Sequence, residues 1–187
     1  MMTSPTGLAA VPVLIALLSL SGCTTAAKHA FYEVRGAQGS MLYINELQAD
    51  DVRACQSVRF EPATTTIGPR LCPPAFQHEY DRAAQALTTE LYGSFPGGPL
   101  ALTISSDVLY FQKKGLLSGA QSLVRTRFSV DGRLLADAIV RVESRAFREG
   151  DHVALAEETI DTIGKTLRRL AAREDQEPPP EHHAANE

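Results

Sequence analysis

The chain has 187 residues, 44% of them hydrophobic and 21% charged, with a formal net charge of −4. Those proportions exclude a wholly disordered chain and leave room for one domain with its own core. A mildly acidic body with no tryptophan and 6% aromatics argues against nucleic acid and against a stacking platform for bases or sugars. The first element is an apolar run over residues 8–20, Leu-Ala-Ala-Val-Pro-Val-Leu-Ile-Ala-Leu-Leu-Ser-Leu. At about 1.5 Å per residue it falls short of a hydrocarbon core of roughly 30 Å. Its length fits the core of an export signal instead. Residues 1–22 contain no Asp, Glu, Lys or Arg, so the initiating amine is the only positive group ahead of the run.

The run ends in Leu20-Ser21-Gly22-Cys23, which resembles the lipobox of bacterial lipoproteins. That resemblance implies that residues 1–22 are removed as a signal peptide. It implies that the Cys23 thiol receives a diacylglycerol and that the new amine is acylated. Two or three acyl chains, at about 0.8 kcal/mol per buried CH₂, hold a protein stably on a membrane where one chain does not. Residue 24 is Thr rather than Asp, which by the same resemblance implies delivery to the outer membrane, facing the periplasm. The competing reading is an ordinary cleaved secretory peptide, or a short anchor, with Cys23 merely nearby.

Residues 23–39 have no sustained period and are expected to be the lipidated N-terminus and tether, with a short strand around 31–34. Residues 40–172 are expected to be the single folded domain. Its first strand is expected over residues 41–45, before the break at Ala49-Asp50-Asp51. From Val52 to Phe60 the apolar residues Val52, Ala54, Val58 and Phe60 share one parity, the pattern of a half-buried strand. Residues 64–71, with Gly68-Pro69, read as a loop. Cys55 and Cys72 remain after Cys23 is set aside; an oxidising periplasm would let them bridge, stabilising by about 3 kcal/mol through loop closure. The alternative is two reduced, buried thiols.

Pro73-Pro74 suits a helix start. Phe76, Tyr80, Ala83, Ala84, Leu87 and Leu91 follow at spacings of three and four, up to Gly93. After the 95–99 turn cluster come three strands. Leu100, Leu102, Ile104, Val108 and Tyr110 share a face of the first, and Val124, Thr126 and Phe128 a face of the second. Leu134, Ala136, Ala138, Val140 and Val142 share a face of the third. Keeping these faces matched predicts a three-residue loop, Val130-Asp131-Gly132, pairing Phe128 with Leu134 and Val124 with Ala138. The last helix carries Val153, Ala156, Ile160, Ile163, Leu167 and Leu170 as one stripe, with acids early and bases late. Residues 173–187 are polar and proline-rich and are expected to be a disordered tail.

The expected fold is therefore α+β: a two-layer sandwich with an antiparallel sheet, in the order strand, helix, three-stranded meander, helix, both amphipathic helices lying on one face. This order resembles small domains of bacterial envelope lipoproteins. It is also similar to the layout of accessory lipoproteins serving lipopolysaccharide export or cell-wall synthases. The resemblance covers roughly residues 50–172 and implies a non-catalytic accessory role with an envelope protein partner.

Catalysis has little to stand on in the sequence. There is no Gly-x-Ser-x-Gly elbow. His78, Glu79 and Asp81 lie mostly off the helical stripe, as a solvated face would. Glu181-His182-His183 falls in the tail, so no metal and no catalytic residue is expected. Gly97-Gly98 precedes a strand rather than a helix, unlike a phosphate-cradling loop. Lys113-Lys114 with Arg125 and Arg127 forms either a basic patch or a soluble sheet face. Leu109, Phe111, Leu123, Leu135 and Ile139 fall on the outward parity of the meander. They form either a second apolar surface for a partner or acyl chain, or a face covered by another segment. The expected role is a membrane-anchored periplasmic lipoprotein without catalysis or a cofactor beyond the acyl groups on Cys23. The alternatives are a carrier or sensor of a lipid or other apolar ligand, and an envelope hydrolase.

Overall fold

In a computed structural model, residues 36–95, 97–113, 119–144 and 151–172 are described. Cys23, the leader, the tail and Lys114 lie outside them. The described residues form six strands and three helices in an α+β sandwich. In chain order they are β1 (Ala37–Asn45), α1 (Ala49–Arg53), β2 (Cys55–Phe60), β3 (Thr64–Thr65), α2 (Pro74–Glu90), β4 (Leu100–Gln112), β5 (Ala120–Val130), β6 (Arg133–Ser144) and α3 (Asp151–Ala171). The sheet order is β1-β6-β5-β4-β2, with β3 continuing along β4 beyond β2.

The sheet is mixed rather than antiparallel. β4, β5, β6 and β1 pair antiparallel, but β2 and β3 run parallel to β4. The cause is α2, which lies between β2 and β4 in the chain and returns it to the same end of the sheet. β1 starts at Ala37, inside the segment expected to be tether. The strand expected from Val52 instead starts at Cys55. Asp50 and Asp51 occupy the first turn of α1, where the helix dipole favours them, and Val52 is buried on that turn.

α2 starts at Pro74 as proline allows, and buries Phe76, Tyr80, Ala84 and Leu87. α3 buries more than its single stripe. Leu155, Thr159, Thr162 and Thr166 are buried alongside Ala156, Ile160, Ile163, Leu167 and Leu170. One flank of α3 packs on α2 and the other on β1 and β6. Thr159 tolerates this because its hydroxyl donates to Leu155 O at 2.6 Å.

Two irregularities re-aim side chains on the meander. The β5–β6 turn is the two-residue Asp131-Gly132, with φ of 48° and 79°, and Val130 pairs with Arg133. Both residues occupy the left-handed region, as a type I′ hairpin requires. The expected three-residue loop is therefore incorrect. Parity is restored by a register shift between Phe128 and Ser129, so Phe128 faces Ala136 and Val124 faces Val140. Leu134 is left 52% exposed. A second shift follows Val108, and beyond it Tyr110 pairs with Leu123 and Phe111 with Ser122. Tyr110 thus turns to solvent, and Phe111 turns inward to meet the Phe76 ring edge-on at 5.3 Å.

The expected Cys55–Cys72 bridge is not formed. Both are free, buried thiols: Cys55 Sγ donates to Asp51 O at 3.3 Å, and Cys72 Sγ lies 3.9 Å from Pro73 O. Each is occupied by its own local backbone, at the end of α1 and the start of α2. Burial pushes both thiols up from their ordinary range, which favours the inert protonated form.

Candidate functional site: the open sheet face and its β1 edge

Both long helices lie on one face of the sheet, so the other face has no layer of its own among the described residues. Its side chains fall in rows across the strands. One row reads Gln38, Glu143, Gln121, Gln112; the next reads Ser40, Arg141, Leu123, Tyr110. The third reads Leu42, Ile139, Arg125, Asp107. Of the five residues expected to form an apolar surface, Leu109, Leu123 and Ile139 are half-buried on this face, and Phe111 and Leu135 pack against the core instead. The structure does not assemble the five into one patch. Leu123 lies between Arg141 and Tyr110, and Ile139 between Leu42 and Arg125.

The centre of this face is polar and locked. Asp137 is 5% exposed although it points away from the core, because Arg125 and Arg127 close over it. Arg125 grips it through two nitrogens, Nε at 3.0 Å and Nη2 at 2.5 Å. These bonds hold the Asp137 carboxyl below its ordinary range, and they raise Arg125 in turn. Arg141 and Glu143 pair beside it. Arg125 and Arg127 are therefore committed to Asp137 rather than joined with Lys113 in a free basic patch.

Exposed large hydrophobic side chains are scattered over Leu71, Tyr92, Leu100, Tyr110 and Leu134, and two more lie together on β1. Leu42 is 60% and Ile44 63% exposed, and Leu42 pairs with Ile139. Asn45 Nδ2 donates to Leu135 O at 2.9 Å and so pins the end of β1 to β6. β1 is one of the two edge strands, and its nine residues, Ala-Gln-Gly-Ser-Met-Leu-Tyr-Ile-Asn, include neither a charge nor a proline. Natural sheets usually guard such an edge with charge, proline or a cover. On its inner side β1 sits close on α3. A Cβ on Gly39 would fall 1.9 Å from Thr162 Oγ1, so only glycine allows this approach. The signal for this site was readable as the run of uncharged residues at 36–45, but only the sheet order shows that the run is an edge.

The remaining candidates separate. His78 is exposed on α2. Glu79 pairs with Arg82 at 2.7 Å, and Asp81 Oδ1 accepts the Ala63 N–H at 2.9 Å. Among the described residues no cluster of three metal-ligating side chains occurs. A polar chain inside the core links the Tyr80 hydroxyl to Ser106 Oγ at 2.5 Å and on to Thr126 Oγ1 at 3.5 Å. Full burial pushes the Tyr80 phenol far up, so it stays protonated and serves packing. An open cleft of about 310 Å³ lies between β2 and α2, lined by Arg59, Phe60, Glu61, Asp81, Ala84 and Gln85 among others.

No family model matches the chain, and no curated protein matches it. Among solved structures it is similar to the PelC dodecamer from Paraburkholderia phytofirmans, with 16% identity and a TM-score of 0.45. That match covers 73% of this chain and 99% of the other. A leucine-to-methionine variant of the same dodecamer gives 16% identity and a TM-score of 0.42 over the same shares of the two chains. Likeness at this level assigns neither family nor activity.

Proposed function

We propose that this chain is a lipid-anchored protein of the bacterial cell envelope. It acts without catalysis, by presenting the β1 edge of its folded domain to another envelope protein. The observation that carries the anchor is Leu20-Ser21-Gly22-Cys23 at the end of an uncharged apolar run. Thr24 after that cysteine supports residence on the outer membrane, facing the periplasm.

The geometry of the tether supports the presenting role. From Cys23 to Gly36 the backbone spans at most about 45 Å, so the domain stays near the membrane that holds its lipid. β1 begins one residue after Gly36 and runs about 25 Å before it ends. Leu42 and Ile44 lie toward the far end of β1 and are exposed, which suits a contact with a partner. Committed charge pairs at the centre of the open face suit a soluble surface, and exposed aliphatic side chains at its rim suit a contact.

The anchor is tested by fractionating cells that produce the full chain and its Cys23→Ala variant. The native chain is expected in the membrane fraction, its intact mass beginning at Cys23 with diacylglycerol and acyl additions. The variant is expected to lose both the anchor and normal maturation. A native chain with an unmodified N-terminus, or a variant that remains in the membrane, overturns the assignment.

A further inference from the structure

The two thiols of the folded domain stand at opposite ends of one strand. Cys55 pairs with Leu100 at the start of β4, and its carbonyl accepts the Gly97 N–H at 3.2 Å. Gly97 presses on the same corner, where a Cβ would fall 2.4 Å from Arg53 O. Cys72 belongs to the other end. Its thiol lies beside the Thr65 hydroxyl, and Thr65 pairs with Val108. Its backbone N–H closes a turn on Gly68 O at 3.0 Å, and the helix it leads into is tied to Ala63 by Gln77 and Asp81. Four residues on, the Phe76 ring meets Phe111 at the far end of β4. Leu100 and Val108 are eight positions apart on that strand, which sets the thiols about 26 Å from each other. A disulfide needs Cα atoms about 4.4–6.8 Å apart. No change of rotamer spans the difference.

We propose that the native fold and a Cys55–Cys72 disulfide exclude each other, so that this pair makes folding conditional on its reduced state. Positions 55 and 72 are seventeen apart in the chain, a loop short enough to close readily when unfolded. Folding lays that loop out instead, with β2 and then β3 end to end along β4. Closing the ring draws Cys72 back toward Cys55 and must strip either β2 or β3 from β4. Folding first therefore preserves two thiols, and oxidation first traps the chain outside the native fold. In the oxidising compartment proposed for this chain the two outcomes compete.

A redox switch working within the folded domain fails on access, because Cys55 is 1% and Cys72 0% exposed. The trapping step takes two protons and two electrons from the thiols and passes them to a disulfide oxidant, which leaves as a dithiol. Release is the reverse exchange. A thiolate of a reducing dithiol attacks one sulfur and expels the other, and its second thiol then resolves the mixed disulfide. The partner this chemistry implies is a dithiol reductant that acts on the unfolded chain and finds no site on the folded one.

The test unfolds the full chain in guanidinium chloride and adds diamide, whose azo bond takes up the two hydrogens that the thiols lose. Intact mass is expected to fall by two hydrogens, and peptide mapping to place the bridge between Cys55 and Cys72. Diluted into detergent without denaturant, bridged chains are expected to give at least tenfold less protein with the native melt, read by circular dichroism, than chains kept reduced. Dithiothreitol is expected to restore that melt. Folded chain given the same oxidant is expected to keep its mass. Cys55→Ala combined with Cys72→Ala leaves no pair to close and is expected to refold equally with and without oxidant. Should that variant fail to fold, recovery of the native chain by dithiothreitol decides. A bridged chain that regains the native melt overturns the proposal, as does a bridge that forms within the folded domain or fails to form in the unfolded chain. So does an oxidant that disables the double variant as well, because the damage is then not the bridge. Acylation of Cys23 is read separately as an added mass, so failure here is distinct from failure of the lipoprotein assignment.

Discussion

The two edges of the sheet are built on opposite principles. β2 is six residues long, carries Arg59, and is followed at once by Glu61 and Pro62. The chain just beyond it is tied to α2 by that helix's own side chains: Asp81 accepts the Ala63 N–H, and Gln77 Nε2 donates to Ala63 O at 3.2 Å. β1 is nine residues long and uncharged, and the Glu158 carboxylate guards one of its outward amides, that of Gly39. A short, charged, proline-ended edge closes a sheet, whereas a long neutral one invites another strand. The contrast teaches that, among the described residues, β1 lacks the ordinary means by which the same domain closes its other edge.

The largest expected effect breaks the β1 side of this comparison by lifting the strand off its helix. Gly39→Val places side-chain atoms where Thr162 Oγ1 already sits, and is expected to cost about 3 kcal/mol. Thermal unfolding reads the loss. Gly39→Ala with Thr162→Ala removes the clashing oxygen and should recover most of the smaller loss caused by Gly39→Ala alone. Equal melting of Gly39→Val and native protein would show that β1 is not held as described.

Next in size is the strand on which β1 leans. Asp137→Asn weakens the clasp between β5 and β6 and is expected to cost about 1.5 kcal/mol at neutral pH. The folded state depresses this carboxyl, so its contribution is complete above the unfolded carboxylate pKa of about 4 and disappears as pH falls through the folded value. The stability gap between the native chain and the Asp137→Asn variant should therefore close on acidification. A gap independent of pH would assign the effect to shape rather than charge.

Smaller still is the effect of removing the guard. Glu158→Gln keeps an acceptor for the Gly39 N–H but loses its charge, and is expected to cost under about 1 kcal/mol. Hydrogen exchange sharpens the comparison more finely: the Gly39 amide should exchange slowly in the native chain and faster in Glu158→Ala, while Met41 and Tyr43 exchange fast in both. The smallest effect belongs to Leu42→Lys and Ile44→Lys, each expected to change stability by less than about 0.5 kcal/mol. A substantial loss from either would mean that the exposed aliphatics serve the fold rather than a contact.

Much of the architecture was legible because periodicity reports burial directly. The α2 and α3 stripes, the strand segments of the meander and the one-sided layering all follow from it. What escaped was set by single residues that reset the phase. The shift after Val108 sends Phe111 inward, though strict alternation places it outside. The shift near Leu135 makes the two-residue Asp131-Gly132 turn compatible with matched faces, where unbroken parity demands a longer loop. The parallel run of β2 was hidden because alternation says nothing of strand direction. Asp137 among buried positions, and threonines on the buried flank of α3, look like solvated residues until their partners are seen. Beside β1, only the outward parity of Ile139 was readable; Leu135 sits at the register shift and packs against the core. Leu42, Ile44 and the Glu158 guard were not, because an edge exists only once the strand order is known.

The most direct measurement is photocrosslinking in intact cells from a reactive residue at position 42 on β1, compared with one at position 59 on β2. Position 42 is expected to give a discrete adduct with another envelope protein, lost when Met41→Pro is added, and position 59 to give none. An adduct from position 59 alone, or one from position 42 that survives Met41→Pro, would contradict docking at the β1 edge.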